Sequence, residues 1–304
     1  MLSQANGGQS AARNTALLWL TEKDALTPEY VLFLDADDML ASNALSTAIA
    51  EMESKELDLL FFAGSSFFES EALRQEFSRY ETYYERNERY EGVYLGSSYM
   101  LESWRNGDWY PSPCMQMARL SLLLDSGITF EKGIIHEDNL YTWSCLLNAN
   151  RVAFLNEPLY LRRIREGSTM TKPTRAENAL GYFRCGVRAL EYSEQVASLR
   201  VPERDAFIEV IDSWFANASD QWLAFDETEK TRADSLLHDL DLIAFREFVV
   251  RRAELKVEHG NAVRDAEARG YAAGKRDEHE KVLKSPSFRL GRALTALPRK
   301  MLGR

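Results

Sequence analysis

Long apolar runs are missing from this chain of 304 residues. No stretch reaches the roughly eighteen consecutive apolar residues that a membrane-spanning helix needs, so none is expected. Cysteine is scarce: Cys114, Cys145 and Cys185 lie far apart, with no CxxC pair. That excludes a disulfide framework and a zinc signature, and points to reduced thiols in a cytoplasm. Each reads as a small buried hydrophobe. Cations are also short, with 37 Lys+Arg against 47 Asp+Glu and a net charge of −10. A nucleic-acid partner needs a basic surface, so none is expected for the chain as a whole. Met1 to Gly8 has no charged n-region and no apolar h-region, so it is not a signal peptide. The chain opens instead on the loop-like Asn6-Gly7-Gly8, which points to a segment upstream.

What is present centres on Tyr30-Val-Leu-Phe-Leu-Asp-Ala-Asp-Asp38. Tyr30 to Leu34 is uninterrupted and rich in β-formers. It suits a strand covered on both faces, as in a parallel sheet. It ends in Asp35, Asp37 and Asp38. Open α/β sheets bind ligands beyond the carboxyl ends of their strands. Clustered acids repel one another unless a cation sits among them. Carboxylate oxygens suit Mg²⁺ or Mn²⁺, which usually share their shell with substrate phosphates. The bland alternative is a polar turn whose aspartates cap the next helix.

Ahead of this strand, Gly7-Gly8-Gln9-Ser10 leads into a helix through Ala11 to Leu20, beginning at Gln9 or Ser10. Its glycines would let the backbone approach a ligand at the helix start. Beyond the strand, Ala44, Leu45, Ala48, Ile49 and Met52 recur at helical spacing. Leu57 to Phe62 reads as a second strand, and this order points to an α/β sheet. Residues 69–94, with Tyr80, Tyr83, Tyr84, Tyr90 and Tyr94, read as an excursion or lid. A helix is expected over Gly96 to Arg105, a strand over Cys114 to Ala118, and a helix from Arg119 to Asp125 ended by Gly127. Asp138 stands at the start of another, with Leu140, Trp143 and Leu147 on one face. Arg151 to Leu155 is strand-like, and Glu157-Pro158 a turn.

Strand signals cease near residue 173. Helices are expected over Ala176 to Glu194 and Glu203 to Phe225, the latter with a core stripe of Phe207, Val210, Ile211, Trp214, Phe215 and Trp222. Residues 230–284 are charged and helical. The domain division expected is 1–172, 173–284 and a tail at 285–304. The tail carries cations and no acid; as a helix it would group Phe288, Leu290, Leu294 and Leu297 among Arg289, Arg292, Arg299 and Lys300. Such a segment can lie on an anionic membrane surface or be a disordered tail.

Five motifs occur in order: Asn6-Gly-Gly-Gln-Ser-Ala-Ala-Arg-Asn14, Phe33-Leu-Asp-Ala-Asp-Asp38, His136-Glu-Asp138, Asn156-Glu-Pro-Leu-Tyr160 and Arg163-Ile-Arg-Glu-Gly-Ser168. Over residues 1–172 the chain resembles a bacterial family 2 glycosyltransferase of the GT-A fold, a Rossmann-like α/β fold. The resemblance departs at the start, because family members open with a strand–helix–strand half that holds the nucleotide base. It implies metal-dependent, inverting transfer from a nucleotide-diphosphate sugar to a glycan or lipid-linked acceptor, in cell-envelope polysaccharide synthesis at the inner face of the plasma membrane. It implies that Asp35 and Asp37 form the DxD motif. Asp37 would ligate Mg²⁺ or Mn²⁺, while Asp35 would meet the ribose or the ion's waters. Arg13 would face the nucleotide, and Arg163 and Arg165 would close on the diphosphate. Asp138 would be the general base, with Glu137 and His136 near the acceptor. Each also has a plainer reading: surface cations, helix-capping acids and a structural histidine. Two rivals stand beside this one. One is a Mg²⁺-dependent phosphohydrolase of the haloacid-dehalogenase type; the other is an inactive remnant or interaction module.

Overall fold

In a computed structural model of the chain, residues 3–21, 28–166 and 174–268 are described. They fall into two compact units. The first is residues 1–173 with 195–210, and the second is 174–194 with 211–304. The expected basic tail at 285–304, and residues 269–284 before it, lie outside the described residues.

The first unit is built on a mixed sheet. Its strands are β1 (Tyr30–Leu32), β2 (Met39–Leu40), β3 (Leu59–Phe68), β4 (Gln116–Arg119) and β5 (Val152–Ile164). They lie in the order β1-β4-β3-β5-β2. Among the described residues only the β3–β5 pair is parallel; β4 runs against both β1 and β3, and β2 against β5. Here the expectation of a doubly covered strand at Tyr30–Leu34 fails. β1 is three residues long and half-buried throughout, and Leu34 is 46% exposed. The cause is its place: among the described residues β1 pairs only with β4, at the edge of the sheet.

The core sits between β3, β4 and β5 and the inner face of α2 (Ala44–Ser54), whose Ala44, Ala48 and Met52 are buried at four-residue spacing. The predicted stripe was wider, but Leu45 and Ile49 stay exposed. The turn expected at Glu157-Pro158 is a bulge inside one long strand. Leu155 pairs with Phe62 and Pro158 with Ala63, so Asn156 and Glu157 are extra. Proline has no N–H to offer a ladder, and a bulge tolerates that.

The first unit's helices follow from local signals. They are α1 (Gly8–Thr21), α3 (Glu71–Glu76), α4 (Gly96–Arg105), α5 (Leu120–Asp125) and α6 (Glu137–Asn148). Gly127, at φ 62°, lets the chain leave α5 in the left-handed region that a side chain disfavours. Helix α6 is buried almost all round, including Tyr141, Trp143, Cys145 and Leu146, rather than on the single face expected. Its far end meets the start of α4 closely: a Cβ on Gly96 would lie 2.1 Å from the Leu146 carbonyl oxygen. The tyrosine-rich stretch is a packed connection. Tyr80, Tyr84 and Tyr90 are buried. Buried Asp108 accepts from the backbone N–H groups of Asn87 and Glu88 at 2.7 and 3.2 Å and from the Tyr90 hydroxyl at 2.7 Å.

The helical remainder comprises α7 (Ala176–Ala189), α8 (Ser193–Ala197), α9 (Val201–Ala224), α10 (Glu227–Ser235), α11 (Asp239–Phe245) and α12 (Arg251–Ala268). The stripe predicted on α9 divides. Phe207 counts with the first unit and meets Trp143 edge-on at 5.1 Å. Phe215 belongs to the second unit, where its ring stacks on Phe248 at 4.9 Å.

Candidate functional site

Just beyond β1 the chain turns back, with the Asp38 N–H on the Asp35 carbonyl at 3.1 Å. The turn splays its three carboxylates, and each finds its own donor. Asp35 accepts from Arg13 at 2.8 Å. Asp37 accepts from Arg165 at 2.8 Å. Asp38 accepts from the Tyr160 hydroxyl, and from the Arg163 backbone N–H at 2.8 Å. The mutual repulsion expected of three acids is thereby divided among separate partners. The proton affinities of Asp37 and Asp38 diverge accordingly. The Arg165 hydrogen bond holds Asp37 below its usual value, whereas burial raises Asp38.

The other half of the site is the head of α6. His136 precedes it at φ 73°, a left-handed conformation rare for a residue with a side chain and a mark of backbone strain. Burial lowers the His136 pKa to about 4, so it is neutral at pH 7. Glu137 is 7% exposed, and its Oε1 accepts from Arg13 at 2.9 Å. Burial raises its pKa, with Arg13 pulling the other way. Asp138 follows. Its Oδ1 accepts from the Asn139 backbone N–H at 2.9 Å and the Asn139 side-chain amide at 3.1 Å. Burial first, and then the Glu137 charge, push its pKa up to about 7. Helix N-termini favour carboxylate charge, but here desolvation wins.

Arg13 joins the two halves, with one prong on Asp35 and one on Glu137. Of the residues expected at the site, Arg13, Asp35 and Glu137 are joined by side-chain contacts; Asp37 with Arg165 and Asp38 follow Asp35 in the same turn, and Asp138 follows Glu137 at the start of α6. The Arg163 side chain is not part of it: it reaches toward Glu69 at 3.4 Å and lies over the Phe67 ring. Strand alternation explains this. On β5 residues 161 and 163 share one face, 160 and 162 the other. The cation on the Tyr160 side is Arg162, which hydrogen-bonds the buried Tyr84 hydroxyl. Sequence reasoning missed Arg162, Tyr84 and a role for Tyr160; counting alternate positions from Tyr160 finds the first. Among the described residues, no group of three or more His, Cys, Asp or Glu side chains is arranged to hold a metal ion, and no helix is long and apolar enough to cross a membrane.

Comparison with known proteins gives consistent relatives. Residues 1–123 match the family model described as Glycosyl transferase family 2. Glycosyltransferase GlyA of Streptococcus pneumoniae is 27% identical over 175 residues, which is 55% of this chain and 23% of GlyA. The glycosyltransferase EpsJ of Bacillus subtilis is 28% identical over 57% of this chain and 47% of its own length. For YibD of Escherichia coli the figures are 23% identity, 64% and 54%. The chain therefore spans between about a quarter and about half of these relatives. Among solved structures, S. aureus TarS 1–349 is similar at a TM-score of 0.49 and 20% identity, over 90% of this chain and 74% of that one.

Proposed function

We propose, from the match of residues 1–123 to the glycosyl transferase family 2 model, that the chain is a member of that family and transfers a sugar with inversion from a nucleotide-diphosphate donor to a hydroxyl acceptor. One observation carries this reading. A single guanidinium links Asp35 of the acidic lip to Glu137, the immediate neighbour of Asp138. A donor held at the lip and a base on α6 then address one site.

The residues divide the work. Asp138, with a pKa near 7, takes the proton from the acceptor hydroxyl as that oxygen attacks the anomeric carbon. A base is most effective when its pKa lies near the working pH. Attack from the face opposite the leaving group inverts the anomeric centre. Arg165, now on Asp37, stands ready for diphosphate oxygens, which suit a planar fork of N–H donors. Glu137 is occupied by Arg13 and orients the start of α6 rather than the acceptor.

A divalent cation fits the lip by donor chemistry. Asp35 and Asp37 are hard oxygen donors with side chains 34% and 39% exposed. Mg²⁺ is usually held by one or two carboxylates plus substrate phosphates, so two carboxylates suffice here. Asp37 would hold the ion and Asp35 its waters or the ribose. Bound there, a cation supplies charge neutralisation for the departing diphosphate. The acceptor class that fits family membership is a glycan or lipid-linked precursor of the cell envelope.

The test incubates the purified chain and Mn²⁺ with UDP-, GDP- and dTDP-sugars and simple glycoside acceptors. Nucleotide diphosphate release is measured, and the product anomer is read by NMR. Release slowed by about 10²–10⁴-fold in Asp138→Asn, with an inverted product from the wild type, is the expected result. A retained anomer, or undiminished turnover in Asp138→Asn, refutes the reading.

A further inference from the structure

We propose that Arg13 is a positioning residue. Its guanidinium is a strut that fixes the acidic lip against the head of α6, and it does not touch the nucleotide. The inference rests on the transferase reading and gives the Asn6–Asn14 motif a physical role.

The geometry is that of a buried joint. The Arg13 side chain is 10% exposed, with contacts of 2.8 Å to Asp35 and 2.9 Å to Glu137. Its Cζ lies 5.1 Å from the centroid of the Phe130 ring. The next residue, Asn14, clamps the same point from the backbone side. Its amide donates to the Phe130 carbonyl at 2.8 Å, and its Oδ1 accepts from the Phe130 N–H at 2.9 Å. The Phe130 ring stacks on Tyr141 of α6 at 4.1 Å and meets Phe33, two residues before Asp35, edge-on at 5.1 Å. Helix α1, the lip and α6 therefore converge on one ring and one cation.

Two part-buried carboxylates repel each other unless a cation lies between them, and removing that cation leaves an uncompensated buried charge. A guanidinium presents N–H groups in a rigid fork that serves both at once, whereas an ammonium is a point charge on a flexible stem. The group most exposed to a shift is Asp138, adjacent to Glu137, and a misplacement of about 1 Å costs on the order of 10²-fold in rate.

The experiment compares Arg13→Met, Arg13→Lys, Glu137→Gln and the double variant Arg13→Met/Glu137→Gln in the full chain. Turnover is measured with Mn²⁺ and whichever of the UDP-, GDP- or dTDP-sugars the wild type consumes. For Arg13→Met, kcat falls about 10²-fold, while the donor KM moves by less than about threefold. Lysine restores little of the loss, and the double variant is no slower than the slower single. A donor KM raised with kcat intact would make Arg13 a nucleotide contact and overturn the strut. Losses that multiply in the double variant would overturn it as well. Should Arg13→Met fail to fold, Arg13→Lys and Glu137→Gln carry the same kcat and KM comparison. If the wild type consumes no nucleotide sugar, the transferase reading fails and melting temperatures decide this one. The strut then requires that the double variant loses no more stability than Arg13→Met alone, and additive losses reject it.

Discussion

A carboxyl group in water ionises near 3.8, yet at the head of α6 burial and the Glu137 charge lift Asp138 to about 7. The catalytic consequence is a pH profile. The base form is lost as pH drops below about 7, so kcat should fall there and level off above it, as a pH series of initial rates will show. Asp138→Asn should lower kcat by about 10²–10⁴-fold. The same shift has a stability cost of opposite sense. The ionised carboxylate is disfavoured in the folded chain relative to the unfolded one. Stability from this group is therefore greatest at low pH, declines as pH rises from about 3.8 to about 7, and is fully lost above, following proton linkage. Asp138→Asn should accordingly melt several degrees higher than wild type at pH 8, by the usual conversion of stability to melting temperature, and match it near pH 3. An equal melting temperature at pH 8 would show that the carboxylate is not strained by its surroundings.

Elements differ in how far their sequence announced them. Helix α4 spans the residues expected of it, and α5 ends just before Gly127, because turn chemistry is local and visible residue by residue. The lip and the head of α6 were legible for the same reason: acids at a strand end and at a helix start are local signals. What was not legible depended on neighbours. The apolar run at β1 says nothing of whether a second strand covers it, so its half-exposed edge position could not be read. Nor does the order of Arg162, Arg163 and Arg165 reveal which faces Asp38 until the bulge in β5 has set the strand's phase. Gly96 likewise gave no sign of the close approach of α4 to α6. Gly96→Ala should destabilise the chain by about 1–3 kcal/mol or more, the range for overpacking, since the atom that its Cβ would strike is backbone. Thermal unfolding followed by circular dichroism will measure it; a variant as stable as wild type would mean that α4 shifts freely. Asp108→Ala should cost about 1–3 kcal/mol by the same measure, the range for an unmet buried group, because the buried Tyr90 hydroxyl loses its acceptor while the N–H groups of exposed Asn87 and Glu88 can turn to water.

At the scale of the whole chain, charge and chemistry oppose each other. The net charge is −10, and a nucleotide-diphosphate sugar is an anion, so the long-range field of the protein repels the donor it is proposed to bind. Locally the acids are partly compensated, since Asp35 and Glu137 share Arg13 and Asp37 pairs with Arg165. Removal of divalent ions with EDTA should therefore abolish turnover and weaken UDP binding together, with Mn²⁺ restoring both. Salt should act in a direction that distinguishes the two scales. The Debye length shrinks from about 30 Å at 0.01 M to about 10 Å at 0.1 M, which mutes the distant acids while leaving contacts of a few ångströms nearly intact. At saturating Mn²⁺, donor kcat/KM should rise by a small factor, about two- to threefold, over that range, the sign expected when encounter is opposed by the overall field. A steep fall with salt would instead mean that the arginines around the lip steer the donor in. The arginine charge would then outweigh that of Asp35, Asp37 and Glu137 as seen from solution, and the partial compensation of the lip would not be what the donor meets.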